Sequence, residues 1–302
     1  MNESFDPNQP VGLIGLGAMG KGVATNLLSK GFQVVGIDVN PDSMKWLQDK
    51  GGVAVDSLAN MADRCRVVIS YVVNDAQTES VLFGKDGIVA FLKPGSTLIT
   101  CSTMPPAYAR ALSERLAEKQ IHYIDAPVSG GRIGAEKGTL TVMAAAPKAV
   151  FDRLQPLLHA MGSKLFYLGE EAGKGSQMKV INQLLCGVHI AAAGEALAMA
   201  KQSGLPLDVT HEVLMSGAAS SWMLGDRGKR MVTESFDDVA SAVDIFVKDL
   251  GLVIDAARGA KFPAHLAHTA FLQFTQASSR GWGKKDDSAV MKNYQASDSS
   301  SV

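Results

Sequence analysis

The chain has 302 residues, 46% of them hydrophobic, which suits a sizeable core in about two domains. Its 29 Lys and Arg against 30 Asp and Glu give a formal net charge of −1, without the basic excess of a typical nucleic-acid binder. The three cysteines, Cys65, Cys101 and Cys186, are odd in number and lie far apart without metal-ligand spacing, which argues against a disulfide framework and a zinc site.

In chain order, residues 1–10 are polar and acidic, without the basic start and apolar centre of a secretion signal. No uninterrupted run of about 18 apolar residues follows, so no membrane span is expected. Reduced thiols and the absence of a signal predict a cytoplasmic protein.

Residues 11–16, 33–39, 66–73, 96–102, 122–128, 139–145 and 164–168 are short apolar runs, several rich in Val and Ile. Such runs suit strands buried on both faces. Amphipathic stretches at 20–30 and 107–119 lie between them, so the pattern predicts βαβ units and a parallel sheet.

The pattern changes near Gly169. After Gly175 comes one long helix, apolar around much of its circumference and so expected to be well buried. At 1.5 Å per residue it is roughly 40 Å long. It stops at Ser203-Gly204-Leu205-Pro206, a glycine cap followed by proline. Beyond it, 208–216, 241–258 and 264–280 read as helices, and no strand is expected. The predicted architecture is an α/β unit with a doubly wound, mostly parallel sheet over 1–170. An all-α unit over 171–295 follows, joined by the long helix. Residues 296–302, rich in Ser, are expected to be disordered.

Gly15-Leu16-Gly17-Ala18-Met19-Gly20 follows a predicted strand and opens a predicted helix. In that context the glycine spacing is the Rossmann dinucleotide fingerprint. Gly15 makes the tight turn, Gly17 lets the backbone approach a pyrophosphate, and Gly20 lets helix and strand pack closely. The phosphates sit on the helix N-terminus. Asp38 lies about 20 residues beyond, where an acid binds the ribose hydroxyls of NAD and repels the 2′-phosphate of NADP. The same fingerprint occurs in flavin enzymes, so it indicates a dinucleotide and not a reaction.

Two later segments can carry chemistry. Asp125-Ala126-Pro127-Val128-Ser129-Gly130-Gly131 offers backbone N–H groups and a hydroxyl that can hold a carboxylate, although alone it reads as an ordinary glycine turn. Gly173-Lys174-Gly175-Ser176-Gln177-Met178-Lys179-Val180-Ile181-Asn182 opens the long helix, and Lys179 and Asn182, three apart, share a face. A lysine on so apolar a helix is partly desolvated, which lowers its pKa toward the range of a general base. Asn182 can donate to a substrate oxygen. Lys248-Asp249-Leu250 alone reads as a charge pair on a solvated helix face. No metal site is expected, and His189, His211, His265 and His268 are read as structural.

Taken together and in order, the four segments resemble the β-hydroxyacid dehydrogenase family, which includes 3-hydroxyisobutyrate dehydrogenase and tartronate semialdehyde reductase. The likeness runs from Val11 to about Tyr294. Residues 183–192, Ser221-Trp222-Met223, 241–252 and 283–290 carry a closer likeness to members that oxidise the carbon next to the carboxylate. The resemblance implies Lys179 as catalytic acid/base with Asn182 assisting at the substrate. It implies Ser129, Gly130 and Gly131 as the holders of the substrate acid. It places Val72, Val73, Thr103 and Lys248 by the bound dinucleotide, with NAD as cofactor. It further implies a small hydroxy acid as substrate, association into a homodimer or homotetramer through the helical half, and no nucleic-acid or membrane partner. Imine reduction is disfavoured by Lys179. A non-catalytic dinucleotide-binding role is disfavoured by the joint presence of Lys179, Asn182 and the Ser129 loop.

Overall fold

The computed structural model describes Asp6 and residues 8–294; the tail at 296–302 lies outside the described residues. The chain divides into two compact units, Met1–Lys179 and Val180–Val302.

The first unit begins with β1 (Val11–Ile14), buried at every position, and α1 (Ala18–Ser29). Then come β2 (Val34–Ile37), α2 (Pro41–Asp49), β3 (Val53–Ala54), α3 (Leu58–Arg64), β4 (Val67–Ser70) and α4 (Asp75–Phe83). β5 (Thr97–Thr100), α5 (Pro106–Ala117) and β6 (His122–Asp125) complete a six-stranded sheet in the order β3-β2-β1-β4-β5-β6. Every pair in it is parallel. The order reverses at β1, so the turns after β1 and β4 flank the crevice where open α/β sheets bind ligands. Helix starts follow local chemistry. Asn40 Oδ1 accepts the Asp42 N–H ahead of α2, with Pro41 in its first turn, and Asn74 Oδ1 accepts the Gln77 N–H ahead of α4.

The run expected as one strand over 122–128 is two. Pro127 has no N–H for a sheet ladder, and the chain leaves the main sheet there. β7 (Val128–Ser129), α6 (Gly131–Lys137), β8 (Thr141–Ala144), α7 (Lys148–Met161) and β9 (Lys164–Tyr167) follow. Their strands form a separate sheet β7-β8-β9, antiparallel in its first pair and parallel in its second. An Asp125–Ala145 bridge ties this sheet to the end of β6.

α8 (Lys174–Gln202) crosses from the first unit into the second. The second unit adds α9 (Leu207–Ser216), α10 (Trp222–Val232), α11 (Val243–Gly259), α12 (His265–Ala277) and a 3₁₀ segment, Asp287–Tyr294. Among its described residues the only β pairing is the isolated bridge Ala242–Asp286. Ile190 and Leu197 of α8 pack with Leu250, Val290 and the stacked Phe246–Phe274 rings, whose centroids are 5.1 Å apart.

α8 departs from the expectation of thorough burial. Met178, Ile181, Leu185 and Met199 are exposed by 38%, 47%, 50% and 70%. Only the opposite face of the helix enters the core, and these residues form a stripe along the open side. α8 is also the one helix among the described residues long and apolar enough to cross a membrane, with mean hydropathy 1.4 over an 18-residue window. Interruption by Lys179 and Gln183, both buried, suits a core helix of a folded unit.

A buried ion cluster secures the C-terminal segment. Arg227 Nε donates to Asp287 Oδ1 at 2.5 Å, and its guanidinium also pairs with Asp226. Asp286 accepts the Ala240 N–H at 2.8 Å and the Ser288 hydroxyl at 2.5 Å. Burial pushes the Asp287 carboxyl up to about 7 against the pull of Arg227. The ordinary value is about 3.9. Between the two, the folded chain holds a proton that the unfolded chain has released, so the contribution of this group to stability falls as pH rises through that window. Asp287→Asn is expected to reduce this loss, read as the change in urea-unfolding free energy between about pH 5 and about pH 7. Equal changes in variant and parent would refute the assignment.

Candidate active site

The turn after β1 is built by glycines. Gly15 has φ 92°, and a Cβ there would lie 2.9 Å from the Tyr71 carbonyl oxygen. A Cβ on Gly20 would meet the Gly15 carbonyl oxygen at 2.0 Å. Gly17 differs, because a Cβ there would meet nothing within 4 Å. The fold itself therefore does not require glycine at 17, whereas close approach of a ligand would. Gly17 caps α1 without a side-chain hydrogen bond, so the first-turn N–H groups at Ala18 and Met19 are left without a side-chain cap. Uncapped amides and the helix dipole together suit a pyrophosphate.

Asp38 follows β2 and is half-buried. Its Oδ2 accepts the Leu16 N–H at 2.5 Å, and its Oδ1 accepts the Asn40 N–H at 2.8 Å. Each carboxylate oxygen keeps further lone-pair capacity for ribose hydroxyls. Beside it lies an open surface depression of about 410 Å³ lined by Asp38, Val39, Met44, Lys45, Gln48 and Asp56 among others. Val72 and Val73 follow β4. The Val72 carbonyl accepts the Ser102 hydroxyl at 2.7 Å, and the Val73 N–H donates to Gln77 Oε1 at 2.9 Å. Thr103 follows β5 and is half-buried. The glycine turn, Asp38, Val72, Val73 and Thr103 thus all lie beyond the carboxyl ends of β1, β2, β4 and β5, and they fit a dinucleotide.

Ser129 ends β7, half-buried, and Gly130 and Gly131 follow at φ 129° and 59°. Asp125, at the end of β6, is fully buried. Its Oδ2 accepts the N–H groups of Gly173 and Ser176 at 2.9 and 2.8 Å, and its Oδ1 accepts the Ser176 hydroxyl at 2.7 Å. Burial raises its pKa, and these hydrogen bonds oppose the rise. The carboxylate holds the first turn of α8, and Lys179, 8% exposed, stands three residues beyond Ser176. Sequence reasoning assigned Asp125 no role, because its partners are 48 and 51 residues away.

In the second unit, Asn182 is half-buried. Its Nδ2 donates to Gln183 Oε1 at 2.8 Å and toward Cys186 Sγ at 3.4 Å. Gln183 Nε2 donates to Asp249 Oδ2. Lys248 Nζ lies 2.7 Å from Asp249 Oδ1. Asp249 is 2% exposed, which corrects the reading of a solvated pair; α11 turns this face into the core beside Phe246 and Leu250. Asp249 and Gln183 are the residues the motif reading missed here. His211 and His268 contact the backbone carbonyls of Leu224 and Ala264 at 3.0 and 2.9 Å. Among the described residues no group of three or more His, Cys, Asp or Glu could hold a metal.

A dinucleotide-binding α/β unit followed by a helical unit with a buried lysine at its opening helix is the architecture of a nicotinamide-dependent dehydrogenase. Comparison with known proteins agrees. The profile of the NAD binding domain of 6-phosphogluconate dehydrogenase matches residues 10–169. That of the NAD-binding region of NADP-dependent 3-hydroxyisobutyrate dehydrogenase matches residues 173–294. L-threonate dehydrogenase of Haemophilus influenzae is 46% identical over 286 residues, 94% of this chain and 95% of the relative. The Escherichia coli protein of the same name is 44% identical over 93% of each chain. A crystal structure of 3-hydroxyisobutyrate dehydrogenase from Salmonella typhimurium is 44% identical, with TM-score 0.89, covering 95% of this chain and all of that one. The chain belongs to the 3-hydroxyisobutyrate dehydrogenase-related family of β-hydroxyacid dehydrogenases. Its cofactor is a nicotinamide dinucleotide.

The contrast between Gly17 and Gly20 is testable. Gly17→Ala is expected to lose no more than about 1 kcal/mol of stability, the cost of alanine at an N-cap, and to weaken dinucleotide binding at least about tenfold by calorimetric titration. Gly20→Ala is expected to lose about 1–3 kcal/mol of stability through overpacking. Unchanged dinucleotide affinity in Gly17→Ala would remove the pyrophosphate from this turn.

Proposed function

We propose that this protein oxidises L-threonate to 2-dehydro-L-erythronate with NAD. The observation that carries the reading is the 46% identity to a protein named L-threonate dehydrogenase over nearly the whole of both chains. NAD is preferred to NADP in this reading because Asp38 places a negative charge where a 2′-phosphate would lie. When bound, the nicotinamide supplies the hydride acceptor.

The residues of this chain do the rest. Gly15, Leu16, Gly17, Ala18, Met19, Gly20, Asp38, Val72, Val73, Thr103 and Lys248 hold the dinucleotide. Ser129 and the backbone of Gly130 and Gly131 hold the substrate carboxylate. Neutral Lys179 accepts the hydroxyl proton as the substrate carbon gives up its hydride, and Asn182 contacts the substrate. A buried amine favours its neutral form, as a general base requires. A second reading, 3-hydroxyisobutyrate as substrate, is favoured by the name of the Salmonella typhimurium structure.

Reduction of NAD is followed by absorbance with L-threonate, D-threonate, D-erythronate, 3-hydroxyisobutyrate and D-glycerate. The expected result is turnover with L-threonate and NAD. Turnover with 3-hydroxyisobutyrate alone selects the second reading, and preference for NADP rejects the role of Asp38. Lys179→Ala is expected to lower turnover by roughly 10²-fold or more while NAD still binds. Near-normal turnover would sink its role.

The same proposal includes a cytoplasmic homodimer or homotetramer that binds neither nucleic acid nor membrane. The near-neutral charge supports the absence of a nucleic-acid partner, and the free, buried thiols Cys65 and Cys101 support the cytoplasm. The exposed stripe on α8 supports self-association. Sedimentation is expected to give a dimer or tetramer, and Leu185→Asp to lower the association state. A monomeric parent protein would overturn it.

A further inference from the structure

Two helices of the first unit, α1 and α6, run side by side in the same sense. Gly22 of α1 comes so close to α6 that a Cβ on it would lie 2.6 Å from the Ala135 carbonyl carbon and 2.8 Å from the Glu136 nitrogen. One turn further along α1, Asn26 Nδ2 donates to the Ala135 carbonyl at 2.6 Å, and a Cβ on Gly138 would meet Asn26 Oδ1 at 3.0 Å. In the opposite direction, Ala18 and Arg132 line one surface depression. The starts of the two helices therefore lie together. α1 starts at the glycine turn, and α6 starts at Gly131, directly after Ser129 and Gly130. α6 has seven residues, with glycine at 131 and 134, and a helix so short is marginal on its own. Its hydrogen bonds are continuous, from the Gly134 N–H to the Gly130 carbonyl at 3.0 Å and from the Thr139 N–H to the Gly134 carbonyl at 2.8 Å. A displacement at Ala135 is therefore passed back to Gly130. The Ala135 carbonyl is one of the last of the helix, and its backbone donor, the Gly138 N–H, is 3.3 Å away, so the bond from Asn26 is the shorter of the two.

We infer that Asn26 is a positioning residue for the substrate acid: by tying α6 to α1 it fixes Ser129, Gly130 and Gly131 against the helix whose start receives the pyrophosphate. The inference rests on the dinucleotide and acid sites proposed above. Asn26 lies two turns from the start of α1, about 12 Å at 1.5 Å per residue, so it acts through α6 and not by contact with the pyrophosphate. α1 keeps its own place through Val23, Ala24 and Leu27, which are buried in the core. Loss of the Asn26 bond therefore frees α6 and leaves the dinucleotide end of α1 where it is. A substrate carboxylate takes no part in hydride transfer and makes the same contacts before and during it. Loosening those contacts weakens ground state and transition state alike, which raises KM and spares kcat.

The experiment measures kcat and KM at saturating NAD for whichever acid of the panel above the parent oxidises, together with NAD affinity by calorimetric titration. It uses the full-length parent, Asn26→Ala and Gly138→Ala. Alanine is the best helix former, so Asn26→Ala removes the donor without weakening α1. Gly138→Ala forces a side chain into the left-handed conformation, φ 67°, and disturbs the same contact from the α6 side. In both variants KM is expected to rise at least about tenfold, since a small misplacement far from the chemistry is costly. The values of kcat and of NAD affinity are expected to stay within about twofold of the parent. An Asn26→Ala protein that does not fold leaves Gly138→Ala to decide. An unchanged KM in both overturns the inference and leaves the proposed oxidation standing. Losses in kcat or NAD affinity without a rise in KM mean a merely structural contact and also overturn it. A parent inactive on every hydroxy acid, L-threonate included, overturns the proposed function and the inference with it.

Discussion

The start of α8 is held by an acid far away in the chain. Asp125 sits fully buried at the end of β6 and takes two N–H groups and one hydroxyl from Gly173 and Ser176. Removing a carboxylate from water costs several kcal/mol, and no cation is among its hydrogen-bond partners. Charge-assisted bonds of 2.7–2.9 Å offset that cost, and the positive end of the helix dipole adds to them. Such bonds tolerate little displacement, so the first turn of α8 is placed against β6. Lys179 comes three residues after Ser176 on the same helix, on the face that Ser176 presents. The placement of the proposed base is therefore set by a residue that takes no part in the chemistry assigned to it.

The same side-chain chemistry serves a different end at Asp38. It too accepts two backbone N–H groups, from Leu16 and Asn40, and so braces the glycine turn it faces. Burial separates the two roles. Asp125 is fully buried and committed to its three donors, which leaves it an anchor. Asp38 is half-buried and opens onto a surface depression, so its remaining lone pairs are available to a ligand. The parallel sheet makes both positions equivalent, at carboxyl ends of strands, and access separates them, since only Asp38 keeps lone pairs that a ligand could reach.

What the sequence revealed follows from how local each signal is. The glycine fingerprint was legible because its three glycines answer to a turn within six residues, and the structure finds one steric reason for Gly15, another for Gly20 and none internal to the fold for Gly17. The parallel strands were legible as buried apolar runs. β3 was not, because it is two residues long at a sheet edge, with Val53 exposed. The split at Pro127 was present in the sequence and overridden by the apolar run around it. Asp125 and Asp249 were illegible as buried residues. Asp125 lies inside the apolar run 122–128 and Asp249 beside Lys248, and the partners that make their burial tolerable come from 48 residues downstream and 66 residues upstream. For Lys179 the inference ran from apolar neighbours to burial and reached the right state, although the same reasoning overstated the burial of α8 as a whole.

The helical unit carries more apolar surface than its own core consumes. α9 illustrates the point, with ten residues and none of them buried, although it contains Leu207, Val209, Val213 and Leu214. A helix that short is marginal in water, and in proteins its stability comes from packing an apolar face. Within the chain α9 has contacts of modest depth, such as the His211 ring against the Leu224 carbonyl and Met215 beside Gly225. Val209 and Val213 are 50% and 62% exposed, four residues apart and so on one face, and Leu205 just ahead of the helix is 55% exposed. α8 carries its own open stripe of Ile181, Leu185 and Met199. Two unrelated helices of one unit each leave an apolar face uncovered, a pattern that single scattered surface leucines do not produce. Leu207, Leu214 and Met215 pack against the core of the helical unit while Val209 and Val213 stay open, so α9 is held along one side only.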